Sequence, residues 1–192
     1  MRRFLWLLLV SVSVFVVVAC NRAQPPSPFR PSATIKDIMD SMVDPSADTL
    51  WESVATIVSA AGTEERMPRT DEEWADVKRK AITLVEATNL LVMDGRHVSR
   101  PGEKSENPGI ELEPAQMEAL ITADRQSFID FAHKLNDAAT LALKAIEAKN
   151  AMGLLDSGEA IDAACENCHL KYWYPLDQQA AKAKEGAGSV RK

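Results

Sequence analysis

Histidine and cysteine are scarce in this chain, with three of each among 192 residues. Cys20 stands far from the other two, so Cys165 and Cys168 form an isolated pair and not a framework of disulfides. A structural zinc site wants four ligands, and beyond that pair and His169 only His97, His133 and carboxylates remain. Glycine is sparse, at eight residues, and β-branched runs alternating at period two are missing, which argues against a strand-built domain. Basic residues fall short of acidic ones, 22 against 28, giving a formal charge of −6. That balance opposes nucleic acid or anionic lipid as the main partner.

One long apolar run is present, at residues 4–18, and it is too short for a comfortable membrane span. Preceded by Arg2 and Arg3, it reads as the core of an export signal covering residues 1–19. It ends Val17-Val18-Ala19-Cys20, the pattern of a bacterial lipobox, in which the cysteine is acylated and becomes the new N-terminus. More than one acyl chain gives stable anchoring, so the expectation is a lipid-anchored protein on the periplasmic side of a bacterial membrane. Loss of Arg2 and Arg3 leaves 20 basic against 28 acidic residues, a charge of −8. Residues 20–32 hold four prolines and read as an extended tether that lifts the folded part at most about 30 Å off the surface. Residues 176–192, rich in Ala, Lys, Gly and Ser, read as a flexible tail.

Residues 33–175 read as one all-α domain. A first helix starts at Thr34, with Asp37 three residues on as a weaker form of the capping box. Its apolar stripe is Ile35, Met39, Met42, Leu50, Val54, Ile57 and Ala61, and Gly62 ends it. Pro45 either kinks this helix or restarts it with Asp44 as N-cap. The second helix opens on the capping box Thr70/Glu73 and carries Trp74, Val77, Ala81, Leu84, Thr88 and Leu91 on one face, closing at Asp94-Gly95. After a long connection at 96–113, a third helix beginning between Pro114 and Asp124 presents Phe128, Ala132, Leu135, Ala139, Ala142 and Ile146. The fourth starts near Asn150 or Ser157 and stops before Pro175. Four amphipathic helices predict an up-down-up-down four-helix bundle, which can host a cofactor between facing helices.

The chemistry lies in Cys165-Glu166-Asn167-Cys168-His169. On a helix, positions i, i+3 and i+4 share a face, so both thiols and the imidazole point together into the bundle. Attachment of one c-type haem needs this grouping: two thiols for its vinyl groups and a proximal imidazole for the iron. A thioredoxin-like pair would instead sit at a helix N-terminus after a strand, and a plain disulfide leaves the following histidine unexplained.

Such an exported helical chain, with its single motif near the C-terminus, resembles the cytochrome c prime family, including its methionine-ligated low-spin members. The resemblance spans residues 34–173 and rests on Cys165, Cys168, His169 and Tyr172, together with the segment 35–42. It implies His169 as proximal ligand, a distal residue from the first helix, and a homodimer formed through the first two helices. The sequence departs from the family at Trp173, where many relatives carry a basic residue, at Pro45, in the lipobox and in the long second connection. For the distal position Met39 is the first choice and Met42, about 4.5 Å further along the helix, the second. Both also suit a role as core fillers. An empty distal site and a ligand from His97 on the loop are the remaining options. His133 falls on a polar stripe and reads as solvent-exposed. Trp51, Tyr172 and Trp173 are aromatic neighbours suited to the porphyrin edge or to plain core. Arg96, Arg100 and Lys104 make the second loop basic, either as solvated surface or as a docking or propionate contact.

A methionine ligand raises the potential and leaves no open site, which suits single-electron transfer with a periplasmic or membrane redox partner, and not enzymatic turnover. A five-coordinate iron would suit binding of nitric oxide or carbon monoxide instead. A thiol–disulfide protein without haem is the third expectation. The lipobox is testable by mass spectrometry of the mature N-terminus, which should begin at acylated Cys20. Cleavage elsewhere, or a Cys20→Ala protein equally bound to membrane, contradicts it.

Overall fold

The computed structural model describes residues 27–175. The leader 1–19, Cys20, residues 21–26 of the tether and the tail 176–192 lie outside the described residues. The folded unit begins at Pro31, and its described part is mostly helical, with one two-stranded sheet.

Helix α1 (Ile35–Ile38) opens on a true capping box. The Thr34 hydroxyl accepts from the Asp37 N–H at 3.0 Å, and the Asp37 carboxylate accepts from the Thr34 N–H at 2.9 Å. A π-helical turn, Met39–Val43, follows and leads directly into α2 (Asp44–Ser53). Pro45 therefore neither stops the helix nor gives it Asp44 as an N-cap. Proline offers no N–H, and its ring crowds the carbonyl four residues back. The chain absorbs this by widening one turn, so that the Asp44 N–H donates to the Met39 carbonyl.

Past Ser53 the expected helix is replaced by a hairpin. Strand β1 (Ala55–Ser59) pairs antiparallel with β2 (Gly62–Arg66), in register Ala55↔Arg66 to Ser59↔Gly62. The reading of this segment as helix, and of the domain as free of strands, is corrected here for a physical reason. Thr56, Ile57 and Val58 are consecutive β-branched residues with poor helix propensity. Beyond Val54 the apolar spacing has no core to face: Ile57 and Val58 are 39% and 78% exposed. Gly62, at φ +130°, takes a turn conformation that side-chain-bearing residues avoid.

Helix α3 (Asp71–Leu91) starts on the capping box Thr70/Glu73, with bonds of 3.2 and 2.9 Å. Its whole expected stripe, Trp74 to Leu91, is buried. The expected third helix is in fact two, α4 (Pro114–Ala123) and α5 (Arg125–Glu147), broken where Asp124 leaves helical geometry at φ −139°, ψ 63°. Asn150 caps α6 (Ala151–Tyr172), accepting from the Gly153 N–H at 3.0 Å.

Cross-links fix the directions. Lys149 pairs with Asp71 and Lys78 with Glu147 near one end of α3 and α5. In mid-helix the Asn136 amide donates to Thr88 Oγ1 at 2.8 Å, and at the far end Arg125 donates to the Val92 carbonyl at 2.6 Å. These two helices are therefore antiparallel. Phe128 meets Tyr172, with ring centroids 5.7 Å apart, while the α5–α6 connection joins their opposite ends, so α5 and α6 are antiparallel too. Trp51 closes α2 onto α6, its indole N–H donating to the Gly158 carbonyl at 3.1 Å. A Cβ at Gly158 would lie 3.1 Å from the Trp51 ring, a tight contact that the indole could relieve only by shifting a few tenths of an ångström. Antiparallel packing of α2 on α6 brings the start of α1 to the end of α6.

Leu50, 2% exposed, is core, whereas Ile57 sits on the exposed hairpin. Leu50→Ala should cost about 2–5 kcal/mol in urea denaturation, and Ile57→Ala no more than about 0.5 kcal/mol. Equal large losses at both positions would restore the continuous helix.

Candidate functional site

Helix α6 delivers Cys165, Cys168 and His169 on one face, close to its C-terminal end. Both cysteines are free thiols, half-buried against the core. In mid-helix the Cβ atoms of i and i+3 lie ~5–6 Å apart, beyond the ~3.5–4.5 Å of a disulfide. Bridging Cys165 to Cys168 would thus require the helix to distort. Burial pushes the Cys165 thiol up to about 12, with help from Asp44, and the Cys168 thiol up to about 11. Redox-active dithiols depend on the opposite shift, a thiolate stabilised near neutral pH.

Burial lowers the pKa of His169, against an opposing pull from Glu166. The imidazole is therefore held neutral, the form that ligates metal. Its ring stands edge-on to Trp173, with centroids 4.8 Å apart, and Tyr174 Oη lies 3.5 Å from Nδ1.

His169 opens on a cavity of about 300 Å³, the low end of the range for ligand pockets. Cys168, Tyr172 and Trp173 line it from α6 and the residue beyond, and Met39, Asp40 and Asp44 line it from the opposite wall. A second void, of about 30 Å³, lies between Met39, Asp44, Cys165, Cys168 and His169. Met39 thus shares both spaces with His169, whereas Met42, half-buried against the core, lines neither. The π turn sets Asp44 beside Met39, through the i→i+5 bond from the Asp44 N–H to the Met39 carbonyl, and Val43 lines the smaller void with them.

The other sequence candidates separate. His97 is exposed and reaches Glu118 at 3.3 Å, outside the cavity lining. His133 is exposed on α5. Trp51 lies on Gly158, outside both spaces, and Tyr172 is core that also lines the larger cavity. The three basic loop residues do not act together. Arg96 is a structural tie, donating to the Leu90 and Ala33 carbonyls, and Arg100 pairs with Asp37 at 2.9 Å. Lys104 alone lines the cavity.

Residues 96–113 form one wall of that cavity and are strapped at both ends. Ile35 and Lys36 N–H groups donate to the His97 and Val98 carbonyls at 2.9 and 3.0 Å, and the Leu112 N–H donates to the Trp173 carbonyl at 2.8 Å. Lys36 also pairs with Glu106. Sequence reading missed Met117 and Ile121 of α4, which line the cavity; their i, i+4 spacing after Pro114 was the available signal. It also missed Tyr174, which lies past the helix end, where periodicity says nothing.

These residues fit a haem. The Cys168 thiol and a neutral imidazole line a largely apolar pocket, with a thioether on the facing wall, and Cys165 joins them on the smaller void beside it. Searches against protein-family models, curated proteins and solved structures each return no match to this chain.

In haem-free protein, alkylation of both thiols should be slow at pH 8, where a pKa of about 11 leaves on the order of one thiolate in a thousand. The rate should keep rising past pH 10, at Cys168 before Cys165, as read by mass spectrometry. A plateau near pH 8.5 would refute the buried, protonated thiols.

Proposed function

We propose that the protein is a monohaem c-type cytochrome that carries single electrons, an up-down-up-down four-helix bundle with haem between its helices, as the resemblance to the cytochrome c prime family implies. One observation carries this reading: Met39 and His169 line the same cavity, beside both cysteines of the motif. Cys165 and Cys168 would hold the haem as thioethers, and His169 would ligate the iron from the proximal side. Met39, with Met42 as second choice, would occupy the distal side. When bound, haem supplies an iron that gains and loses one electron at a potential set by its axial ligands and surroundings.

The chain's own residues exclude water and hold the ligands still. Ile35, Ile121 and Phe128 give the pocket apolar walls, and a low-dielectric surrounding is one of the levers on potential. Loop 96–113 covers one side, held through backbone bonds to α1 and to the end of α6. Antiparallel packing of the first and last helices supports a bundle with its site at one end. The signal 1–19 and Cys20 support a lipid anchor on the periplasmic side of the membrane, with a redox protein as partner and a homodimer as the family's usual assembly.

A second reading, binding of nitric oxide or carbon monoxide at a five-coordinate iron, draws on the size of the cavity beside Met39. The third, a haem-free thiol–disulfide protein, has buried protonated thiols and helical spacing against it.

Protein made with cytochrome c maturation machinery should give a c-type pyridine haemochrome, with colour that stays on the polypeptide in acid–acetone. Its ferric spectrum should be low-spin with a weak far-red thioether charge-transfer band. Met39→Ala should abolish the band, lower the potential and admit carbon monoxide, whereas Met42→Ala should mainly loosen packing. Loss of the band in Met42→Ala alone moves the ligand one turn. A high-spin, carbon-monoxide-binding ferrous form of the unmutated protein turns the function to gas binding.

A further inference from the structure

We propose that Tyr174 and Glu166 are positioning residues for His169: together they fix its tautomer and its ring orientation, and so set the potential of the iron it would hold. This rests on the haem reading above.

The helix end builds the arrangement. Beyond α6 the N–H groups of Trp173 and Tyr174 both donate to the His169 carbonyl, at 2.8 and 3.0 Å. This double bond-back curls the chain so that Tyr174 faces the imidazole of the residue five before it, with ring centroids 5.7 Å apart. The Leu112 N–H, donating to the Trp173 carbonyl at 2.8 Å, ties the curl to the loop. Glu166 lies three residues before His169, one turn back on the same side of the helix.

The proton positions follow from donor chemistry. Tyr174 donates its hydroxyl to a Glu166 carboxylate oxygen at 2.6 Å. A carboxylate oxygen accepts, so the phenolic proton goes to Glu166 and Tyr174 Oη meets the ring with a lone pair. That lone pair lies 3.5 Å from His169 Nδ1. Nδ1 therefore carries the imidazole proton and donates it, and Nε2 is the nitrogen with a lone pair to give to a metal. A ligating histidine is commonly held this way, its second N–H donated to an oxygen that orients the ring and raises its basicity. At 3.5 Å the contact is long for a hydrogen bond, so it acts by orienting the ring more than by its own strength. Trp173 bounds the imidazole edge-on from another side.

The test is the reduction potential of the holoprotein, titrated for the unmutated chain, Tyr174→Phe and Glu166→Gln. Phenylalanine keeps the ring that packs on His169 and Trp173 and removes only the hydroxyl. A less basic imidazole favours the ferrous state, so Tyr174→Phe should move the ferric–ferrous equilibrium roughly tenfold toward ferrous, about 59 mV upward. Glu166→Gln should move it the same way by less, because a neutral amide holds the phenolic proton more weakly. A potential in Tyr174→Phe equal to that of the unmutated protein assigns Tyr174 to packing and overturns the proposal. If that variant fails to accumulate with haem, an unchanged potential in Glu166→Gln overturns it equally. Covalent haem is read in the same preparations, and its absence from the unmutated protein sinks the cytochrome reading instead.

Discussion

Tyr172 holds the last turn of α6 in place, and the site hangs from that turn. Its ring stands edge-on to both Phe128 and Phe131 of α5, with centroids 5.7 and 5.9 Å away. Such contacts add ~0.5–1.5 kcal/mol each beyond the area they bury. Lys171 beside it reaches Asp124 at 2.8 Å and Ser127 at 2.7 Å, across the helix interface. Helix ends fray when nothing holds them, and His169 lies only three residues before Tyr172. Without this wedge of aromatic rings the imidazole, the curl of Trp173 and Tyr174, and the floor of the cavity would all lose their reference frame.

The opposite wall depends on a defect put to use. Pro45 cannot continue the hydrogen-bond ladder, and the widened turn before it turns Met39 and Asp44 to one side. Insertion of one residue into a turn rotates everything upstream by about 100° relative to everything downstream. The helical segment Ile35–Val43 before Pro45 faces the end of α6, while α2 keeps Ala47 and Leu50 in the core. The third wall, residues 96–113, is irregular chain held by backbone hydrogen bonds at each end and by the buried side chains of Val98 and Leu112. Its ion pairs, Lys36–Glu106 and Arg100–Asp37, are largely exposed. Pairs of that kind contribute little.

Burial sets the chemical character of the pocket. It keeps both thiols protonated and His169 neutral, and it places no strong charge on the α6 side of the cavity. Carboxylates gather at the α1–α2 side instead, where Asp44 is pushed up by burial and by its neighbours Asp40 and Asp48. An apolar, proton-neutral floor under an acidic rim is poorly suited to thiolate chemistry.

The sequence by itself determined the α3 stripe from Trp74 to Leu91, the α5 stripe from Phe128 to Ile146, the caps at Thr34 and Thr70, and the grouping of Cys165, Cys168 and His169, while it left the start of α6 open between Asn150 and Ser157. All of these follow from spacing within a few helical turns, where local geometry is nearly invariant. It misread residues 55–66, because apolar spacing marks a helix face only when a core waits opposite, and none waits there. It could not choose between Met39 and Met42, since both lie on one stripe about one turn apart, and spacing alone does not say which turn faces the end of α6. Nor could it find Met117 or Tyr174. Whether a side chain shares a cavity with His169 depends on how α4, the loop and the end of α6 close against α1, and that closure is decided between residues far apart in the chain, which no local pattern encodes.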